Sequence, residues 1–245
     1  TGIACSTCPS LFTVDICANQ WTQMYMCVGN MYTISLCTST SPFNSVITIT
    51  NANNPSPTAY AYDDDGCGTT NGLSELTFVP TVNQVYRIRI TEDPCTMNAS
   101  LCGTLQISCS PVPPPPPNDD PCNAIQLNGG TSCSMDFGST AWATQTGGMS
   151  PPNCGSFAGS DVWFSAVVPA SGNLVVETEL ASAPDLAMAL YTATACNGTF
   201  TQVACNDDAS AGVLEPYLLL SGLPPGQTVY IRVWPKGGPA NTGTF

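Results

Sequence analysis

The chain contains no histidine, and only four of its 245 residues are Lys or Arg. Without histidine there is no imidazole base for a serine or cysteine nucleophile and no histidine-ligated zinc. The four cations, Arg87, Arg89, Arg232 and Lys236, stand against 17 carboxylates, for a formal charge of −13. Nucleic-acid binding needs cationic groups that displace counterions from phosphates, and an anionic bilayer surface needs the same, so both partners are excluded. Charged residues make up 9% of the chain and hydrophobic ones 43%, too apolar and too weakly charged for a disordered chain. Apolar runs stay well short of the ~20 residues of a membrane-spanning helix, so no membrane insertion is expected.

What the chain does have is cysteine, 14 of them. Cys5-x-x-Cys8 lacks a second such pair to complete a zinc site, and the others are scattered. Scattered cysteines, scarce lysine and many short strand-like runs predict disulfides, hence an oxidising, extracellular compartment. The sequence starts at Thr1 with no initiator Met or signal-peptide pattern, which predicts a mature or internal segment of a longer product.

Pro111-Val112-Pro113 through Pro117 is the clearest boundary. Such a run forces polyproline II, a stiff spacer of roughly 22 Å over seven residues; a PxxP ligand is the competing reading. It separates a first domain, 1–110, from a second, 118–245, with 111–117 as linker. The two resemble each other in order. Gly29–Ile34 corresponds to Gly172–Glu177, Asn44–Ile49 to Asp185–Leu190, Tyr60–Asp65 to Gln202–Asp208 with a gap, and Val85–Arg89 to Val229–Val233. A near-constant offset reads as tandem duplication. The first unit closes with Gly103–Cys109, whereas the second stops at Gly243-Thr244-Phe245, where its last strand begins; this predicts a continuation with a Cys beyond Phe245.

Both units read as β throughout. Short runs rich in Val, Ile, Thr, Tyr and Phe are separated by turn clusters such as Asn51–Pro55 and Pro169–Asn173. Tyr86-Arg87-Ile88-Arg89-Ile90 alternates, with one apolar face and both arginines on the other. The predicted fold is all-β: two tandem jelly-roll or Greek-key β-sandwich domains, disulfide-stapled and joined by a polyproline linker.

Four motifs carry a family resemblance. They are Asn118-Asp119-Asp120-Pro121-Cys122-Asn123-Ala124-Ile125, Gly159-Ser160-Asp161-Val162-Trp163-Phe164, Cys205-Asn206-Asp207-Asp208 and Gly226–Val233; Ala61–Gly68 with Leu76–Pro80 looks like a sister version. In these the chain resembles surface modules related to the pre-peptidase C-terminal domain, repeated in bacterial adhesins and hydrolases exported by type IX secretion. The resemblance implies a non-catalytic jelly-roll-like sandwich serving adhesion, binding or spacing. It also implies a Cys37–Cys67 bridge.

For the other cysteines, spacing suggests Cys95 with Cys102 and Cys196 with Cys205 as hairpin staples, and Cys133 with Cys154. That leaves Cys122 for a cysteine beyond Phe245 and Cys109 for Cys5 or Cys8, with Cys17 and Cys27 unassigned.

The acidic loops have two readings. Asp63, Asp64 and Asp65 with Glu75, and Asp207 and Asp208 with Glu215, offer the hard oxygens calcium needs, with Asp161 and Asp185 as further ligands in the second unit. The same residues can equally form solvated Asx turns. Calcium is thus the one cofactor in view. Glu177 and Glu179, two apart on one strand, have the form of a glycosidase pair or of an ordinary solvent face, and the chain is expected not to be an enzyme. Trp21 and Trp163 are expected in the core, Trp142 and Trp234 at the surface, where they suit sugar stacking or protein contact. The function expected is a structural or adhesive segment of a large secreted bacterial surface or filament-forming protein, whose partners are its own copies or repeats or an extracellular glycan or protein. The alternative is a carbohydrate- or polymer-binding accessory module of a secreted hydrolase.

Overall fold

The computed structural model describes residues 8, 11–38, 43–54, 58–68, 72–94, 101–130 and 135–245. The fold is all-β, and the chain divides into two compact units, Thr1–Val112 and Pro113–Phe245. The first contains β1 (Phe12–Cys17), β2 (Trp21–Met26), β3 (Asn30–Ser35), β4 (Ser45–Asn51), β5 (Ala59–Asp63), β6 (Glu75–Phe78), β7 (Gln84–Glu92) and β8 (Cys102–Pro111). They form two antiparallel sheets of order β1-β8-β3-β6 and β2-β7-β4-β5. Strand alternation sends Tyr32, Ile34, Ile47, Ile49, Tyr86, Ile88, Leu105 and Ile107 into one shared core. Arg87 and Arg89 lie on the opposite face of β7, as the alternation predicts. Pro111 is not linker: it ends β8 opposite Asn30, and Val112 N–H donates to Gly29 O.

The second unit contains β9 (Ile125–Gln126), β10 (Val162–Val167), β11 (Leu174–Glu177), β12 (Leu186–Thr192), β13 (Thr201–Asn206), β14 (Tyr217–Leu220) and β15 (Thr228–Pro235). Its larger sheet has the order β13-β12-β15-β10-β9. Apart from β9, which adds in parallel beside β10, this is the order of β5-β4-β7-β2. The strands β11 and β14 pair as β3 and β6 do.

Strand pairing corrects the alignment of the repeats by one residue. Ile47 and Ile49 on β4 sit opposite Ile90 and Ile88; Met188 and Leu190 on β12 sit opposite Val233 and Ile231. Ile88 therefore matches Ile231, and Arg89 matches Arg232. The alignment of Ile88 with Arg232 would have put an inward residue against an outward one, because a one-residue slip exchanges the faces of a strand. The same slip applies at β3 and β11, where Ile34 and Val176 both face inward.

The matched arginines live in opposite surroundings. Arg89 is exposed, donating to Asn19 Oδ1 at 2.7 Å. Arg232 is wholly buried, because the outer face of its sheet is roofed by the loop preceding β10. That roof builds a further cluster of Trp163, Tyr191, Tyr230 and Trp234 with Met149 and Phe157. Inside it, Arg232 Nε donates to Asp161 Oδ2 at 2.9 Å, with both side chains 0% exposed. Asp161 also accepts Thr146 N–H and Oγ1–H, and Trp163 Nε1–H at 3.1 Å. The guanidinium carbon lies 4.2 Å from the Phe157 ring centroid. Removing one member of a buried pair strands the other's charge. Asp161→Ala is accordingly expected to destabilise the second unit by about 3–5 kcal/mol, against well under about 1 kcal/mol for Arg89→Ala, as read by denaturant unfolding.

Candidate functional site

The bridges between described residues join positions distant in sequence: Cys8–Cys109, Cys17–Cys102, Cys37–Cys67, Cys122–Cys196 and Cys154–Cys205. Of the two candidates for Cys109, Cys8 is the partner. The hairpin staples are corrected. Cys102 bonds Cys17, its direct neighbour across the β1–β8 pair, so the Cys95–Cys102 pairing fails; Cys95 itself lies outside the described residues. Cys205 sits opposite Ala189 on the outer face of β13, where its sulfur bonds Cys154 in the roof; Cys196 borders the same outer-face cluster but bonds elsewhere. The expected Cys196–Cys205 and Cys133–Cys154 bridges are thereby excluded; Cys133 lies outside the described residues. Cys196 takes Cys122 in the short 3-10 turn Pro121–Asn123, so Cys122 needs no partner beyond Phe245.

The acidic loops divide. In the first unit Asp63 Oδ2 accepts N–H groups from Gly66 at 2.7 Å and from Glu75 at 3.0 Å. The last residue of β5 thus clasps the first residue of β6 on the other sheet. A Cβ on Gly66 would come within 2.3 Å of Glu75 O and 2.6 Å of Asp63 Oδ2, so the clasp needs glycine there. Asp64 and Asp65 point to solvent, and Asp63, Asp64, Asp65 and Glu75 do not gather their oxygens into one ligand group. This is the Asx-turn reading. The second unit repeats the clasp with a neutral side chain: Asn206 Oδ1 accepts Tyr217 N–H at 2.9 Å, from the end of β13 to the start of β14.

Asp207 and Asp208 instead converge with Asp185, one oxygen of each lying within 4.8 Å of the others. Asp185 enters because the turn before β12 abuts the end of β15, where Lys236 N–H donates to Asp185 O. Glu215 is not in this group; its backbone carbonyl accepts Ala209 N–H. Asp161, expected beside them, is held by Arg232. The residue that sequence reasoning missed is Lys236. Its ammonium lies 2.9 Å from Asp207 Oδ2, 3.4 Å from Asp208 Oδ2 and 3.6 Å from Asp185 Oδ2. Asn44 and Asp93 hold the matching places in the first unit, where Asp93 N–H donates to Asn44 O. Lys236 stands where the first unit has Asp93, and Asp185 where it has Asn44, while Asp207 and Asp208 match Asp64 and Asp65; the exchange of an anion for a cation is readable from the aligned repeats.

Burial, then the neighbouring Asp208 and Asp207, push the Asp185 carboxyl above its usual range, while Lys236 opposes them. The hydrogen bond to Asp207, with the charges of all three carboxylates, holds the Lys236 ammonium well above the ordinary lysine range. One oxygen on each of Asp185, Asp207 and Asp208 is buried without a hydrogen-bond partner. Chemically this is a hard-oxygen cradle with a tethered cation.

The tryptophans are partly exchanged relative to expectation. Trp163 is buried as expected, but so is Trp234, at 0% exposure, with Nε1 donating to Gly155 O at 3.0 Å. The roof over its strand is the reason, and it removes Trp234 as a surface ligand. Trp21 is the more exposed, at 54%, because it starts edge strand β2 on the outer face, beneath the Arg87 guanidinium at 4.8 Å. Trp142 is 40% exposed. Glu179 lies past the end of β11, so it does not share a strand with Glu177.

No family model matches the chain, and no curated protein does. Among solved structures it is similar to a crystal structure of dimeric latent PorU from Porphyromonas gingivalis, at 8% identity and a TM-score of 0.15. That likeness covers 91% of this chain and 17% of the other, and at such a score it carries no argument.

If Lys236 is the cradle's counter-cation, calcium and chelator will leave the melting midpoint of the protein unchanged. Lys236→Met will lower the midpoint and make it rise with millimolar calcium. The lysine's contribution is complete below its unfolded-state pKa and disappears as pH rises through the elevated folded value, so the gap between the two proteins will close in strong alkali.

Proposed function

We propose that this chain is a non-catalytic structural or adhesive segment of a secreted surface protein. The observation that carries the reading is the bridge from Cys8 to Cys109, at the entrance and exit of the first unit, with a sequence separation of 101. Cys17–Cys102 ties the first strand to the last a second time. Tension along the chain passes through these covalent bonds, and the hydrogen-bond ladders between them are shielded. Polar groups inside the units support the same reading. Asp63, Asn206 and the Asp161–Arg232 pair all close loops or hold sheets. Multiple disulfides fit an extracellular setting, and no helix among the described residues is long and apolar enough to cross a membrane.

A specific feature favours glycan binding as the second reading. One row crosses the outer face of the β2-β7-β4-β5 sheet: Trp21 opposite Arg89, Arg89 opposite Thr48, Thr48 opposite Tyr62. Trp21 and Tyr62 are 54% and 71% exposed, and aromatic faces of this kind stack on sugar rings.

Pulling the oxidised protein by its ends tests the first reading. The first unit is expected to add none of the roughly 35 nm that about 100 freed residues would release, and to add it only after reduction, because Cys8→Ser alone leaves the segment between Cys17 and Cys102 closed. Full extension of the oxidised unit would refute the force-bearing role. On a glycan array, binding abolished by Trp21→Ala and Tyr62→Ala would favour the accessory-module reading.

A further inference from the structure

The same cross-strand pair stands on the outer face of each unit, and only one copy is covered. In the second unit Trp163 on β10 lies directly opposite Arg232 on β15. Both donate to one carboxylate oxygen, Asp161 Oδ2: Arg232 through Nε at 2.9 Å and Trp163 through Nε1 at 3.1 Å. The pair is a carboxylate receptor whose ligand comes from its own chain. In the first unit Trp21 on β2 lies directly opposite Arg89 on β7, in the matching places of the sheet. The residue two before Trp21, where the second unit has Asp161, is Asn19. Its Oδ1 accepts Arg89 Nη2–H at 2.7 Å, so the hydrogen bond is kept and the neutralising charge is not.

The charge of Arg89 is therefore left over. The ion pairs among the described residues all lie in the second unit. Arg87, the next outward residue of the same strand, brings a second guanidinium to this face. The outer positions beside the two arginines are Trp21 and Gln23 on β2 and Thr48 and Thr50 on β4, with no acid among them. In a chain of formal charge −13, such a face favours an anionic ligand.

The aromatic rings say which kind. The Arg87 guanidinium packs on one face of the Trp21 indole at 4.8 Å, yet Trp21 is 54% exposed, which leaves its other face to solvent. Tyr62, 71% exposed, ends the row on the far edge strand, roughly 14 Å away across three strand spacings. A shelf with a ring at each end, and a hydroxyl and a guanidinium between, fits the flat faces of pyranoses. The planar fork of a guanidinium fits a carboxylate carried by one of them.

We propose that the row of Trp21, Arg89, Thr48 and Tyr62 binds acidic saccharides, chains of uronic acids. Their rings stack on Trp21 and Tyr62, and a carboxylate meets Arg89 as Asp161 meets Arg232. This rests on the glycan-binding reading above and narrows it to anionic chains.

The test titrates the oxidised protein by calorimetry with short oligomers of galacturonic, mannuronic and glucuronic acid, and with the same oligomers after reduction of their carboxyl groups to alcohols. An acidic oligomer is expected to bind about tenfold or more tighter than its reduced form. Arg89→Gln should erase that preference while the melting midpoint stays nearly unchanged, and Trp21→Ala should weaken both forms. Equal affinity for acidic and reduced oligomers, lost in Trp21→Ala, would overturn the proposal and leave glycan binding standing. Binding of none of the oligomers in either form would overturn both. A preference that survives Arg89→Gln, or polyglutamate binding as tightly as the acidic oligomers, would also overturn it, because the site would then lie elsewhere or take a polypeptide.

Discussion

Covalent closure between strands far apart in sequence is the constraint on which this architecture depends. Each unit is a thin sandwich whose surface is Ser, Thr, Asn and Gly with few charges, so ion pairs contribute little at its rim. Cys17–Cys102 and Cys8–Cys109 lock the first strand of the first unit to its last, and Cys122–Cys196 and Cys154–Cys205 pin a roof onto the outer face of the second. Long loops closed in this way restrict the unfolded chain more than hairpin staples would. The roof in turn creates the dry pocket in which an arginine and an aspartate can pair.

The duplicated units have diverged around a shared frame. The cross-sheet clasp persists with Asp63 in one and Asn206 in the other, delivering the same hydrogen bond to the start of the facing strand. Around it the charges were redistributed: Asp93 gives way to Lys236, and three carboxylates collect about that lysine. The second unit thus holds two of the chain's four cations in internal pairs, while the first keeps its two arginines on an outer sheet face beside Trp21.

The sequence made much of the frame legible, because alternation in β7 and turn clusters report directly on a half-buried strand. It was less informative where both faces of a strand are covered. Thr228–Pro235 carries Val229, Ile231 and Val233 on one face and Tyr230, Arg232 and Trp234 on the other; a lone arginine among apolar neighbours was the available sign of a buried pair. Trp21 and Trp234 exchanged places for the same reason, since exposure depends on whether a distant loop roofs the strand. Bridge partners were hidden because they are brought by distant loops: Cys196 and Cys205 border the same outer-face cluster, yet one bonds Cys122 and the other Cys154. The Lys236 cluster is assembled from three separate turns, and only the aligned repeats hint at it.

Mass-spectrometric mapping of the bridges in the unreduced protein tests the central claim most directly. Peptides linking Cys17 to Cys102, Cys122 to Cys196 and Cys154 to Cys205 are expected. Recovery instead of local links, Cys95 to Cys102 or Cys196 to Cys205, would contradict the account, for the strands would then be stapled only to their neighbours.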